Sequence, residues 1–116
     1  MAEMVLVRAI VRTEMLERVV RRLKEAGVPR LTVARVHAIG AGVDPATEKL
    51  SLEEGSAYAD KAEIQFVCAG SDCAHYTGMI AETARTGRRG DGIVMVQPVV
   101  GVTKVRTGAT GIDALQ

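Results

Sequence analysis

The chain shows one layout twice: a run of β-branched residues followed directly by a segment with helical spacing. The first run, "MVLVRAIV" at residues 4–11, predicts a strand. In the following "TEMLERVVRRLKEAG", Thr13 is a candidate N-cap and Gly27 ends the pattern. Four apolar residues recur at the i, i+3, i+4, i+7 spacing of one helix face: Leu16, Val19, Val20 and Leu23. A strand followed by an amphipathic helix is therefore predicted.

The second occurrence of the layout begins at "KAEIQFVCAG", residues 61–70, where apolar and polar residues alternate as in a half-buried strand. Ser71 or Asp72 can cap the helix that follows, and Gly87 is its expected end.

Two further strands complete the pattern. "LTVARVHAIG", residues 31–40, precedes the second occurrence, and "GIVMVQPVVGVTKVRT" follows it. Pro98 interrupts the last run, which predicts a short fifth strand at 99–106. The order strand, helix, strand, strand, helix, strand predicts an α+β fold, the ferredoxin-like split βαβ arrangement with two helices on one face of an antiparallel sheet.

Between the second and third predicted strands, residues 41–60 show no periodicity and are rich in Gly, Pro, Ser and charge. Structureless stretches this long are unusual in a compact domain and are normally functional or disordered. We therefore expect a single domain over 1–116 with a long protruding loop at about 41–60.

Composition excludes several classes of protein. The formal net charge of +1 gives no support to binding of bulk nucleic acid, and 3% aromatic residues provide few platforms for base stacking. No run approaches the ~20 apolar residues that span a bilayer, and Glu3, Arg8 and Arg12 make the start unlike a signal peptide. A cytoplasmic location is expected, with Cys68 and Cys73 as thiols.

The segment "TARTGRRGDGIVMV" carries the main chemical signal. Gly87, Gly90 and Gly92 can aim several backbone N–H groups at one spot, which forms a nest for an anion such as phosphate. Arg88 and Arg89 add positive charge beside it. Glycine and aspartate also occur in helix-to-strand connections for backbone reasons alone, and spacing by itself favours that simpler explanation.

Downstream, Lys104 and Arg106 lie two residues apart on a predicted strand. Side chains at this spacing leave the same face, so the two cations suit a polyphosphate.

Other candidates have simpler interpretations. Cys68, Cys73 and His75 do not supply the four ligands of a structural zinc site, and Cys68 is expected in the core, so no metal site is predicted. His37 has no carboxylate near it in sequence and is expected to be an ordinary strand residue. Glu53 and Glu54 lack an accompanying nucleophile, so no catalytic residue is predicted.

These segments resemble the PII nitrogen-regulatory signalling proteins. "TARTGRRGDGIVMV" and "VTKVRTGATGIDAL" are similar to the family patterns T-A-x-T-G-x-x-G-D-G-x-I-x-V and R-x-R-T-G-x-x-G, and the opening of the chain resembles the PII start. The resemblance implies a homotrimer of ferredoxin-like subunits with ATP, ADP or AMP in clefts between subunits, magnesium accompanying ATP, and a long loop that meets a partner protein.

The resemblance also implies site residues. Lys61 matches the lysine at the base of the loop and can pair weakly with a small carboxylate, and Gln65 stands where a glutamate is usual. Lys104 replaces the usual arginine, while Arg106 keeps the second basic position. The positions matching the nucleotide site are Thr32, Ala38, Gly40, Gly87, Arg88, Arg89, Gly90, Asp91, Gly92, Lys104 and Arg106.

Departures from the pattern concern regulation. Ala41 and Gly42 stand where 2-oxoglutarate sensors have a basic residue and a glutamine, and Glu54 stands at the modifiable tyrosine. Ile93 replaces a frequent lysine after "GDG". The resemblance therefore implies nucleotide binding without the usual 2-oxoglutarate site or uridylylation.

Three classes of function stay open. The first is a signalling protein that controls a transporter, enzyme or regulator of nitrogen or carbon metabolism through its loop. The second is a ferredoxin-like nucleotide-hydrolysing enzyme, although the chain lacks a Walker-type lysine–serine pair. The third is a trimeric structural or metal-tolerance protein. Trimerisation is expected because the strands carry more apolar positions than two helices cover: Val5, Val7, Ile10, Val33, Val36, Val94 and Val96.

Overall fold

The computed structural model describes residues 2–41, 43–51 and 56–116. Their strands are β1 (Met4–Arg12), β2 (Thr32–Ile39), β3 (Lys49–Ser51), β4 (Ser56–Ala69) and β5 (Gly92–Pro98), and their helices are α1 (Leu16–Glu25) and α2 (Cys73–Ala84). The strands form one antiparallel sheet in the order β2-β4-β1-β5, with the short β3 paired to β4. The predicted fold class is confirmed.

The core lies between one face of the sheet and the two helices. Because side chains alternate along a strand, β1 and β4 each send every second residue to this face, and the register places Val7 opposite Phe66 and Ala9 opposite Ile64. The helices close the core with Val19 and Leu23 from α1 and Ile80 and Ala84 from α2. The apolar residues that recur with period 2 in the strands and period 3.6 in the helices therefore pack together in one apolar layer.

The helix ends differ from the sequence prediction. Thr13 opens a short 3-10 turn, Thr13–Met15, and its side chain makes no capping hydrogen bond to α1. Asp72 occupies the N-cap position of α2, again without a side-chain cap, and α2 ends at Ala84 rather than at Gly87. A 3-10 turn at each helix start satisfies backbone groups that the predicted caps were expected to satisfy.

The predicted fifth strand at 99–106 is wrong. Val99 N donates to Met4 O at 3.1 Å, after which the chain leaves the sheet. It then folds back on itself: Thr103 and Thr110 form an isolated bridge, and Lys104 N donates to Ala109 O at 2.8 Å. A 3-10 helix, Gly111–Leu115, follows. Pro98, which lacks an N–H, ends the ladder.

The described part of the segment 41–60, residues 41, 43–51 and 56–60, contains more secondary structure than the sequence suggested. β3 and the first residues of β4 form a hairpin arm, and Lys49 Nζ donates across it to Asp60 Oδ2 at 2.6 Å. Val43 and Asp44 are buried. The prediction of a stretch without secondary structure is therefore wrong for these residues, while Gly42, Glu53 and Glu54 lie outside the described residues.

The face of the sheet away from the helices carries both apolar and charged side chains. Ile93 and Met95 are exposed there, and Arg8 Nε lies 3.7 Å from Glu63 Oε1 near the centre. Of the apolar strand positions listed from the sequence, Val5 and Val7 belong to the core, because they alternate toward the helices. Within the described residues, neither helix has the length and apolar character needed to cross a membrane.

Candidate functional site

The glycine turn joins α2 to β5, and its backbone conformation requires glycine. Gly87, Gly90 and Gly92 have φ angles of 87°, 98° and 110°. A Cβ at Gly92 would lie 1.8 Å from Ile10 O, and a Cβ at Gly90 would lie 2.9 Å from Asp44 Cβ. The turn is therefore packed directly against the end of β1 and against the segment that follows β2.

Asp91 organises this turn from inside. Its Oδ2 accepts hydrogen bonds from Thr86 N at 2.8 Å and Gly87 N at 2.9 Å, and its Oδ1 accepts from the Thr86 hydroxyl. The hydrogen bond from this hydroxyl, followed by the backbone donors, holds the pKa of Asp91 well below its usual range. The carboxylate is therefore ionised, and both of its oxygens accept hydrogen bonds within the turn.

Arg12, the last residue of β1, joins the turn to the rest of the fold. Its side chain is only 3% exposed, and each of its nitrogens donates a hydrogen bond. Nε donates to Asp91 Oδ1 at 3.0 Å, Nη1 to Asp44 Oδ2 at 3.0 Å, and Nη2 to Arg89 O at 2.9 Å. A planar guanidinium has the geometry to serve three acceptors at once.

Lys61 supports the same turn from β4. Its Nζ donates to Gly90 O, and the residue is 2% exposed. Lys61 is thus buried and not at an exposed loop base, because β4 begins at Ser56 and carries it under the turn. Its weak pairing with a small carboxylate stays a prediction. Burial lowers the pKa of Lys61, and the neighbouring charge of Arg12 lowers it further.

Arg12 and Asp44 were missed by the sequence interpretation. Asp44 is buried, and its Oδ1 accepts from Ala46 N at 2.9 Å. This backbone donor, followed by Arg12, lowers the pKa of Asp44. A charged residue at an alternating strand position and an Asp before Pro both have ordinary explanations in sequence, so no local signal marked either one.

Two of the N–H groups expected to form an anion nest are used inside the turn. Gly87 N donates to Asp91, and Arg88 N donates to Thr86 Oγ1 at 3.1 Å. The side chains of Arg88 and Arg89 are exposed and carry positive charge beside the turn. These two guanidinium groups are therefore available to a ligand at the turn, whereas the N–H groups of Gly87 and Arg88 are already used.

Ala38 and Gly40 lie at the same end of the sheet as the turn. Ala38 pairs with Ala59 on β4, two residues from Lys61. Gly40 has a φ of 91°, and its carbonyl accepts from Val43 N at 3.1 Å, which starts the bend leading to Asp44.

Thr32 lies elsewhere, at the first position of β2, where it pairs with Gln65. Gln65 lies four positions along β4 from Lys61, about 13 Å of strand. Thr32 and Gln65 line a cavity of about 280 Å³ together with Val102 and Leu115 from the C-terminal segment.

Lys104 and Arg106 follow Val102, which lines this cavity, by two and four residues. They lie on the C-terminal turn, where Gly108 N donates to Lys104 O at 2.8 Å, and not on a strand. Arg106 is exposed. In one copy of the chain, Thr32 and the glycine turn therefore lie toward different ends of the sheet, and the C-terminal segment reaches Thr32 through Val102 and Leu115.

The remaining candidates have structural surroundings. Cys68 and Cys73 are buried thiols, which confirms the core position predicted for Cys68, and burial raises the pKa of the Cys68 thiol to about 11. His37 lies in β2, as expected of a strand residue, and its Nε2 lies 3.4 Å from Asp60 Oδ1 on β4, a carboxylate that is distant in sequence. Within the described residues, no group of three or more His, Cys, Asp or Glu side chains is arranged to hold a metal ion.

Comparison with known proteins identifies the family. The protein-family model described as "Nitrogen regulatory protein P-II" matches residues 4–109. The chain belongs to the P-II family. The nitrogen regulatory protein GlnK2 of Haloferax mediterranei is 39% identical over 95% of this chain and 89% of that protein. The P-II protein of Cyanidium caldarium is 32% identical over 92% of this chain and 95% of that protein.

Solved structures show the same fold. Arabidopsis thaliana PII bound to citrate superposes with a TM-score of 0.81 at 30% identity, covering 97% of this chain and 92% of that chain. The B. subtilis GlnK–ATP complex has a TM-score of 0.80 at 24% identity, covering 99% of both chains. This P-II protein is thus a member of a family of nitrogen regulatory proteins, and the resemblance in its motifs is confirmed.

Proposed function

We propose that this P-II protein is a cytoplasmic signalling protein that binds ATP, ADP or AMP between the subunits of a homotrimer. It regulates a transporter, an enzyme or a regulator of nitrogen or carbon metabolism through the loop at 41–60. The observation that carries the proposal is that Thr32, with the C-terminal segment beside it, and the glycine turn lie toward different ends of the sheet in one copy. We propose that a neighbouring copy brings Arg106 to the glycine turn.

The glycine turn is suited to phosphate because its own side chains already fix its backbone. Asp91 and Arg12 hold its shape, and the exposed side chains of Arg88 and Arg89 stand beside it. Arginine pairs with phosphate through two parallel hydrogen bonds, which are stronger than neutral ones. A fixed turn also loses little conformational entropy when it binds.

The trimer is supported by the face of the sheet opposite the helices. Ile93 is 57% exposed and Met95 37% exposed in a single copy, an arrangement that packing against other copies would relieve. Arg8 and Glu63 lie near the centre of the same face and give it charges of both signs.

The comparisons support nucleotide and small-carboxylate ligands. The B. subtilis GlnK structure contains ATP, and the Arabidopsis PII structure contains citrate. In this chain Ala41 offers no side-chain donor or acceptor, so we propose nucleotide sensing, with magnesium accompanying ATP, without a glutamine-assisted 2-oxoglutarate site. The protein acts by binding and is not an enzyme.

Arg106→Ala tests the nucleotide site by isothermal titration calorimetry with ATP, ADP and AMP, each with and without 2-oxoglutarate or bicarbonate. Loss of a charge-assisted phosphate contact is expected to weaken ATP and ADP binding by about ten- to a hundred-fold. Arg21→Ala is the control, because Arg21 pairs only with Glu17 on the exposed face of α1 in the described structure.

Two results would contradict the proposal. One is unchanged ATP and ADP affinity in Arg106→Ala with the assembly intact. The other is a persistent monomer in sedimentation at micromolar concentration, because the proposed site takes residues from two copies.

A further inference from the structure

One buried ion-pair cluster connects two segments that are far apart in the chain. Arg12 donates to Asp91 and to Arg89 O in the glycine turn, and the same guanidinium donates to Asp44, which follows β2. The contact to Asp44 spans 32 residues and the contact to Asp91 spans 79. The side chain of Arg12 is therefore a direct link between the turn and the start of the 41–60 loop.

Asp44 also shapes the beginning of that loop. Its Oδ1 accepts from Ala46 N at 2.9 Å, and its backbone carbonyl accepts from Thr47 N at 3.0 Å. Gly90 packs so closely on Asp44 that a Cβ at position 90 would lie 2.9 Å from Asp44 Cβ. The bend at 44–47 and the glycine turn thus share one contact surface and one guanidinium.

We infer that Arg12 and Asp44 are positioning residues that couple the glycine turn to the bend at 44–47, so that each segment senses the conformation of the other. The ligand-dependent part of this inference rests on the proposed nucleotide function, while the coupling itself is a property of the ligand-free protein. Thermodynamic coupling is reciprocal, so loosening either segment loosens the other.

The chemistry explains why an arginine is needed at this position. The three side-chain nitrogens of Arg12 lie in one plane and donate to three acceptors on two segments. A lysine has a single ammonium group, which cannot reach three such acceptors with the same geometry. The cluster is also buried, so removing one charge leaves its partner uncompensated in a region of low dielectric. Arg12→Ala can therefore fail to fold, and the informative substitutions lie at the acceptors.

Asp44→Asn is the selective test. The amide oxygen of asparagine can still accept from Ala46 N, while its NH₂ group cannot accept from Arg12 Nη1. The substitution removes one arm of the link and keeps the local bend. Lys49→Ala is the matched control, because it breaks the Lys49–Asp60 pair of the same hairpin without touching Arg12.

The measurement is amide hydrogen exchange of the ligand-free full chain, resolved at Thr86 and Gly87, whose N–H groups donate to Asp91. We expect exchange at these two amides to accelerate about tenfold or more in Asp44→Asn, the factor expected from loss of a charge-assisted hydrogen bond. Lys49→Ala should leave them unchanged. Unchanged exchange at both amides in a folded Asp44→Asn protein overturns the inference.

A second arm uses ATP and ADP as probes and separates this inference from the proposed function. In the wild-type protein, nucleotide should alter exchange at Ala46 and Thr47, and Asp44→Asn should abolish that distant response. If neither nucleotide binds the wild type, the proposed function fails while the ligand-free result still decides the coupling. If nucleotide binds and the response at Ala46 persists in Asp44→Asn, the coupling through Asp44 is refuted.

Discussion

Replacing Gly92 with alanine gives the strongest test of how the glycine turn is built. Gly92 is the first residue of β5 and pairs with Val11 of β1. Its φ angle of 110° is unfavourable for any residue with a Cβ. The added Cβ would lie 1.8 Å from Ile10 O and 2.8 Å from the Ile10 carbonyl carbon.

The magnitude follows from two separate costs. A positive φ costs an alanine roughly 1–2 kcal/mol. The neighbouring atoms are backbone of a central strand and cannot move without disturbing the pairing between β1 and β5, which adds about 1–3 kcal/mol, as overpacking does in a core. Gly92→Ala should therefore lower the free energy of unfolding by roughly 2–5 kcal/mol, a large part of the stability of a typical domain.

Gly87→Ala is the matched control, because Gly87 has a φ of 87° but no atom within 4 Å of the added Cβ. It should lose only the strain cost, about 1–2 kcal/mol. Urea unfolding followed by far-ultraviolet circular dichroism, at one protein concentration, compares the two variants. Equal unfolding midpoints for Gly87→Ala and Gly92→Ala would refute the argument that contact with β1 fixes the turn.

Two further predictions concern ionisable groups. Because the pKa of Asp91 is lowered in the folded state, its contribution to stability is present above the ordinary aspartate pKa of about 3.9 and is lost as the pH falls through and below that value. Urea unfolding between pH 7 and pH 3 should show that the free energy of unfolding falls less with pH in Asp91→Asn than in wild type. The exposed-site variant Glu17→Gln should keep the wild-type pH dependence. The same pH dependence in all three proteins would contradict the assignment. Burial raises the pKa of the Cys68 thiol to about 11, and Cys73 is also buried. Alkylation of either thiol in the native protein at pH 8 should therefore be limited by the rate of unfolding. Rapid labelling of either thiol without unfolding would show that its core position is wrong.

The sequence predicted the elements of the fold where burial imposes a period. Val7, Leu23 and Ile64 are repeated at strand or helix spacing because they share one core, so their pattern is visible in the chain. The hairpin arm formed by β3 and the start of β4 was missed. Its pairing is a backbone ladder of three residue pairs between β3 and β4, which is too short to leave a periodic apolar signal in the sequence.

The site could be predicted only in part for a similar reason. Glycines required by positive φ are visible in sequence, so the spacing of Gly87, Gly90 and Gly92 is enough to indicate a turn of special conformation. Arg12 and Asp44 carry no such signal. Arg12 pairs with residues tens of positions away, Asp44 among them, and the sequence alone does not distinguish a buried arginine from an exposed one. Polar pairs between distant residues can be predicted only when it is known which segments are neighbours in the fold, and residue spacing in the sequence does not give that information.

The anchoring of the loop restricts how a ligand can act on it. A ligand shifts an equilibrium between two states only as far as its contacts differ between them. The described part of the loop is held at Asp44 by Arg12 and at Lys49 by Asp60, so any second state must break or replace at least one of these contacts. The Arg12 contact is the buried one and shares its guanidinium with the glycine turn, whereas the Lys49 contact is exposed and contributes little. Under the inference above, we expect a ligand bound at the turn to act on the loop through Arg12, and the two states to differ first in the hydrogen bond that Asp44 accepts from it.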